Sequence, residues 1–185
     1  CVRYLREDPW ERMRILNEWV KKTPLIIHTR GQSLFTFEFF ADDLVELAAE
    51  RFIANGMKYH TVYDALNDIR NLEIPIKAAR NLGIYTLPGL VYSHSPVHTD
   101  QYYAKKAHEL MKIGMDALFI KDPSGLLIPE RVETLMPAIK SVIGDLPLQL
   151  HTHWLSWLAP YVALQSIQYG VNVVHTATST LANSA

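Results

Sequence analysis

Six short apolar runs recur along the chain: PLIIHTR (24–30), KYHTVYD (58–64), YTLPGLVYS (85–93), DALFIKD (116–122), LQLHTH (148–153) and VNVVHTA (171–177). Each is rich in β-branched and aromatic residues and short enough for one strand. Their starts fall 23 to 34 residues apart, the length of a strand–helix unit. The stretches between them, near 42–54, 69–82, 100–113, 129–143 and 157–169, have the spacing of amphipathic helices, and 10–22 adds another. In DDLVELAAERFIANG, apolar Leu44, Leu47, Ala48 and Phe52 recur near helical spacing. Asp42 is the expected N-cap there, and Gly56 follows the end. Gly114 and Gly170 stop two further helices in the same way. Strands apolar on both faces imply a parallel sheet covered by helices.

Two architectures satisfy that period, an open doubly wound sheet and a (β/α)8 barrel. Neither GxGxxG nor GxxxxGK[ST] follows the first strand, which counts against a nucleotide-binding sheet. Arg30, Asp64, Lys121 with Asp122, His151 with His153, and His175 each end a different strand. A barrel gathers those ends around one mouth, where active sites lie. A complete barrel takes about 250 residues. The expectation is therefore an α/β fold, a (β/α)8 TIM barrel present as a fragment with about six of its eight strands. Residues 1–185 would form a single, incomplete domain.

Composition narrows the partners. The 185 residues are 49% hydrophobic and 20% charged, enough apolar material for one core. A net charge of −1 gives no basic field for nucleic acid or an anionic membrane. Cys1 is the lone cysteine, so an internal disulfide is excluded and a reducing, cytoplasmic setting is expected. No apolar run reaches the roughly 18 residues of a membrane span. The start, CVRYLREDPW, has no signal-peptide pattern and reads as the continuation of a longer chain.

The HTH tripeptide carries most of the chemistry. Residues i and i+2 of a strand share a face, so His151 and His153 can offer two imidazoles to one ion. Alternatively they are two hydrogen-bonding residues at a strand end. Lys121, in FIKDPSG, ends an apolar strand and points into the expected mouth. Its ammonium has donors only, so it ligates a metal only when neutral or converted to a carbamate. Asp122 is either its ion-pair partner or an outer group that orients a ligand. Arg30, in IIHTRGQS, offers a planar fork for a carboxylate, or else forms a surface salt bridge. Asp64, in YDALND, either bonds Arg30 and fixes its aim or caps the following helix. His28 shares the strand parity of Arg30 but is not assigned to the site. His60 reads as a satisfied strand histidine, His108 as a surface residue, and the two histidines of SHSPVHT as loop groups.

In that order the motifs resemble the carboxyltransferase domain of biotin-dependent carboxylases and decarboxylases. That family includes the oxaloacetate decarboxylase α subunit, pyruvate carboxylase (one of two subunits where the enzyme is split) and the transcarboxylase 5S subunit. The carrying stretches are REDPWERMRIL, TRGQSL, FFADDLVELAAERFIANGM, YDALNDIRN, YSHSPVHT, IKDPSGLLIPE, PLQLHTH and GVNVVHTATSTLAN. The resemblance implies a TIM barrel with a divalent metal (zinc, manganese or cobalt) at its mouth. Lys121 as a carbamate, His151 and His153 match three of the family's ligands. The fourth, an aspartate in an RDxHQS motif, and a proton-shuttling threonine have no counterpart, so the chain alone is expected to be inactive. Arg30 matches the arginine that binds the keto acid, with Asp64 beside it. The implied reaction moves a carboxyl group between biotin, carried on a partner domain or subunit, and a small 2-keto acid, pyruvate or oxaloacetate. A homo-oligomer or multi-subunit complex is implied, touching a membrane only through a partner subunit if of decarboxylase type.

Several positions depart from the family pattern. FRxFD reads HTVYD, with Thr61 in place of an arginine, and KDM[AS]G reads KDPSG, with Pro123. The small polar loop after HTH becomes Trp154, Leu155, Ser156 and Trp157. The acidic residue of GVDxVDTA becomes His175. Because these changes lie at the mouth, two other readings stay open. One is a metal-dependent aldolase or lyase, its pocket closed by the tryptophans over a bulkier substrate. The other is an inactive barrel kept for subunit assembly.

Overall fold

The computed structural model describes residues 2–178. Its six strands are β1 (Ile26–Thr29), β2 (Tyr59–Asp64), β3 (Tyr85–Val91), β4 (Leu118–Asp122), β5 (Leu148–Thr152) and β6 (Val173–Val174). They form one sheet in strictly sequential order, every pair parallel. That order separates the two candidate architectures. A doubly wound sheet reverses its strand order at a switch point, whereas a barrel adds each strand beside the last. The molecule is six strands of a (β/α)8 barrel, an open arc with β1 and β6 at its edges.

Helices α3 (Asp42–Ala54), α4 (Arg70–Asn81), α5 (Asp100–Ile113), α6 (Pro129–Ile143) and α7 (Ala159–Gln168) return the chain between strands. Before β1 lie α1 (Val2–Leu5) and α2 (Pro9–Trp19). Asp8 caps α2 through Trp10 N–H, with Pro9 in the first turn, where its missing N–H costs nothing. The expected boundaries hold within a few residues, but α3 is rotated from the sequence reading. Its buried face is Val45, Ala49 and Phe52, while Leu44 and Leu47 are exposed. Nor is Asp42 the cap: Ala41 takes that position, and the Asp42 carboxylate accepts from the Gln32 side chain instead. Gly56, Gly114 and Gly170 do sit where α3, α5 and α7 stop.

Strand alternation divides the sheet into two faces. Leu90, Leu118, Ile120, Leu148 and Leu150 pack outward on Leu72, Tyr103, Leu135 and Ile139 of the helices, all fully buried. Burying one such leucine stabilises by roughly 1.5–3 kcal/mol. The inward face carries His28, Thr61, Phe119, Lys121, Gln149 and His151. Phe119 lies flat across it because β3 has a glycine opposite: a Cβ on Gly89 would sit 2.3 Å from the Phe119 ring. Above this layer the strand ends are fixed by side chains that extend the ladder. Asn67, buried, donates to Val91 O (2.9 Å) and accepts from Val91 N (2.7 Å), tying the β2–α4 loop to the end of β3. Among the described residues no helix is long and apolar enough to cross a membrane.

Candidate active site

His151 lies near the end of β5 and His153 one residue past it, and their Nε2 atoms stand 3.1 Å apart. An ion about 2.1 Å from each nitrogen would subtend about 95° at that spacing, which suits common coordination geometries. The pair therefore fits two ligands of one ion. Burial, then the charge of Lys121, pushes His151 down to about 4. The imidazole is thus neutral near pH 7, the form that ligates.

Lys121 is the cross-strand neighbour of His151, but its ammonium turns the other way. Nζ lies 3.2 Å from His28 Nε2 and 3.8 Å above the Tyr63 ring centre. The expected convergence of Lys121 with the histidine pair is therefore only half present. An ammonium needs acceptors, and these are on β1 and β2. The Thr61 hydroxyl donates to Ile27 O (3.3 Å) and so accepts from His28 Nδ1–H. That leaves the His28 Nε2 lone pair for Lys121. Burial, then Lys121, pushes His28 down to about 3, so it stays a neutral acceptor. Among the described residues no three His, Cys, Asp or Glu side chains converge as a metal-binding group.

Arg30 stands over a cavity of about 340 Å³ whose lining includes Ser33, Thr36, Phe37, Tyr63 and Lys121. Its Nε donates to Tyr63 OH (3.3 Å), Nη1 to Thr36 O (3.4 Å), and its guanidinium lies 4.4 Å above the Phe37 ring centre. Two cations thus face one partly apolar space. Pro123 joins the wall. So does Asp64, but its carboxylate is spent on Leu66 N–H, Asp68 N–H and Asn71 Nδ2, at 2.9 to 3.0 Å. Of the two readings of Asp64, the Arg30 bond is absent because Asp64 shares the outward parity of Val62, and its carboxylate ties the loop before α4 while Ile69 takes the N-cap position. A larger cleft, about 420 Å³, opens beside Lys58 and Tyr59 at the opposite ends of the strands, away from these groups.

Asp122 pairs with neither Lys121 nor a histidine ring. It is fully buried, accepts from Leu126 N–H and Leu127 N–H, and takes the Thr152 hydroxyl at 3.0 Å. Its own carbonyl accepts from His153 N–H (3.0 Å). Asp122 therefore shapes the 123–127 loop and the backbone carrying His153. Gly125 lets that loop close: at φ +60°, a Cβ would come 2.6 Å from His153 O.

At the far edge His175 Nε2 lies 2.8 Å from Gln149 Oε1, and its Nδ1 lies 3.4 Å from His151 Nδ1. Trp154 and Trp157 stack edge-to-face, 5.5 Å apart and largely exposed, outside the lining of the Arg30 cavity. They form a surface pair rather than a lid on that cavity. His60 is buried as expected, yet only half satisfied: Nε2 meets Thr29 Oγ1 (2.7 Å) while Nδ1 has no partner. Tyr63 and Gln149 are site residues that sequence reasoning missed, and His28, whose parity it noted, it left unassigned. Strand parity with Arg30, Lys121 and His151 is the signal that marks them. The SHSPVHT histidines stay off the site, with His98 bonded to Ser95 Oγ (2.7 Å) in its own turn.

No family model matches the chain. A pyruvate carboxylase subunit of Methanocaldococcus jannaschii is 40% identical over 98% of this chain and 32% of its own length. The 2-oxoglutarate carboxylase large subunit of Hydrogenobacter thermophilus is 37% identical over 98% of this chain and 28% of its own length. The carboxyl transferase domain of Rhizobium etli pyruvate carboxylase, solved with pyruvate, superposes with a TM-score of 0.93 at 27% identity. It covers 97% of this chain and 31% of that one. The chain spans about a third of the length of the curated relatives it matches.

Proposed function

Because the chain is homologous to part of a biotin-dependent carboxyltransferase domain, we propose that its strand ends form the mouth where a carboxyl group moves between biotin and a small 2-keto acid. The observation that carries this reading is the cavity facing Arg30 and Lys121, one strand from a ligand-spaced histidine pair. Arg30 takes the substrate carboxylate, its fork already aimed by Tyr63 and Thr36. His151 and His153 would hold a divalent metal, and Lys121 would join them by leaving His28 once its neutral amine has added CO2 and released a proton to give a carbamate. A carbamate is an anion, so it loses its reason to lie on the Tyr63 ring face. A metal held there would supply Lewis acidity toward the substrate's keto group. Asp122 and Gly125 keep the backbone of both ligand loops in register. Biotin arrives on a carrier domain, and the intact protein works as an oligomer or multi-subunit assembly.

The free lysine resting on His28 favours a second reading, a lyase acting on a different acid with Lys121 kept as a cation. A screen with the intact protein separates the two. Oxaloacetate should be decarboxylated, faster with free biotin, and Arg30→Ala should raise KM by about tenfold or more, the loss of one charge-assisted contact. Turnover of another acid without response to biotin would favour the lyase. Inertness toward every acid would leave the assembly role.

A further inference from the structure

We propose that His175 and Gln149 set the tautomer and aim of His151, so the candidate ligand is oriented by an imidazole–amide pair rather than by Asp122. This rests on reading His151 and His153 as a ligand pair. Three contacts in series connect them. Gln149 Oε1 lies 2.8 Å from His175 Nε2. An amide oxygen only accepts, so that nitrogen carries the proton and donates. His175 Nδ1 is then a lone pair, and it faces His151 Nδ1 at 3.4 Å. Two facing lone pairs repel, so His151 Nδ1 holds a proton and donates across. One proton is all a neutral imidazole has. His151 Nε2 is left bare, and it is the atom that stands 3.1 Å from His153 Nε2.

Gln149 thereby determines, through His175, which nitrogen of His151 is free to ligate. At 3.4 Å the middle contact is long for a hydrogen bond, so it selects a tautomer more than it adds stability. Two further contacts hold the His175 ring: it stacks on Phe119 at an inclination of 30°, 5.9 Å between centres, and lies edge-on to His151 at 5.5 Å. Metal-bound histidines commonly give their second N–H to a carboxylate or carbonyl. His175 therefore offers His151 an uncharged acceptor, and Gln149 is what makes the imidazole an acceptor.

The test uses the intact, metal-free protein with ¹⁵N-labelled histidine and long-range ring correlations. His151 should be the Nδ1–H tautomer and His175 the Nε2–H tautomer. Gln149→Leu should turn both into mixtures, and His175→Leu should do so for His151. His175→Asp, which restores an acceptor, should return His151 to Nδ1–H. Titration with Zn²⁺ alone should show affinity lowered about tenfold or more in the two Leu variants and restored in His175→Asp. A wild-type His151 protonated at Nε2, or unchanged in Gln149→Leu, would overturn the proposal. Unaltered Zn²⁺ affinity in both Leu variants would overturn it while leaving the metal reading intact. Tautomers as stated with no Zn²⁺ binding would uphold the relay and sink the metal reading.

Discussion

Tyr63→Phe isolates one contact at the mouth. Tyr63 serves both cations: its hydroxyl accepts from Arg30 Nε at 3.3 Å, and its ring face lies 3.8 Å beneath Lys121 Nζ. Phenylalanine keeps the ring and the cation–π contact, and it is the residue in the related FRxFD motif. Only the hydroxyl is lost. A well-formed hydrogen bond to a charged group contributes about 1.5–3 kcal/mol. This one is long and solvent-exposed, which brings it to about 0.5–1 kcal/mol. If Arg30 binds the keto acid as proposed, it then spends more time away from the binding pose, and KM should rise about two- to fivefold. Because the contact precedes chemistry, kcat should stay within about twofold. Steady-state kinetics on the intact protein, with thermal unfolding as a control, measures both. A kcat falling about tenfold at constant KM, or no change in KM, would refute Tyr63 as the residue that aims Arg30.

Three further outcomes follow from the packing. His60, held down to about 4 by burial, binds its proton more readily in the unfolded chain. Stability should therefore fall as pH drops from about 6.5 to about 4, by up to about 1.4 kcal/mol per pH unit from this group. His28 and His151 act in the same direction. Thr29→Val with His60→Phe removes the orphaned nitrogen and its partner together, and denaturation at pH 7 and pH 5 should show a smaller loss than in wild type. Gly89→Ala places a methyl against the Phe119 ring and should cost about 1–3 kcal/mol, with shifted ring resonances of His28 and His175, which flank Phe119. Asp122→Asn sets an amide N–H against a donor in a fully buried site. It should destabilise by about 2–3 kcal/mol and loosen the 123–127 loop, read by hydrogen exchange at Leu126 and Leu127.

The barrel was legible because its signals are periodic. Glycine stops, β-rich runs and polar strand tips repeat at one interval, and each repeat is locally consistent with the next. Single faces were harder. On α3 the four apolar positions Leu44, Leu47, Ala48 and Phe52 suggest one stripe, yet packing kept Phe52, added Val45 and Ala49, and left Leu44 and Leu47 outside. At the site, residue type was a better guide than partner choice. HTH gives two imidazoles on one face by strand geometry alone. Where Lys121 points depends on which acceptors the neighbouring strands supply, here His28 and the Tyr63 ring. Asp64 and Asp122 look like site acids in sequence, but their parity turns them outward, where loop N–H groups take both carboxylates. Gln149 looks like a core strand residue until its contact with His175 is seen.

Metal content of the intact protein tests the central assignment most directly. After incubation with Zn²⁺, Mn²⁺ or Co²⁺ and removal of excess, wild type should retain about one equivalent per chain, and His151→Ala and His153→Ala should each lose most of it. A folded wild-type protein that stays metal-free under those conditions, or alanine variants that retain the full equivalent, would contradict the assignment of this histidine pair.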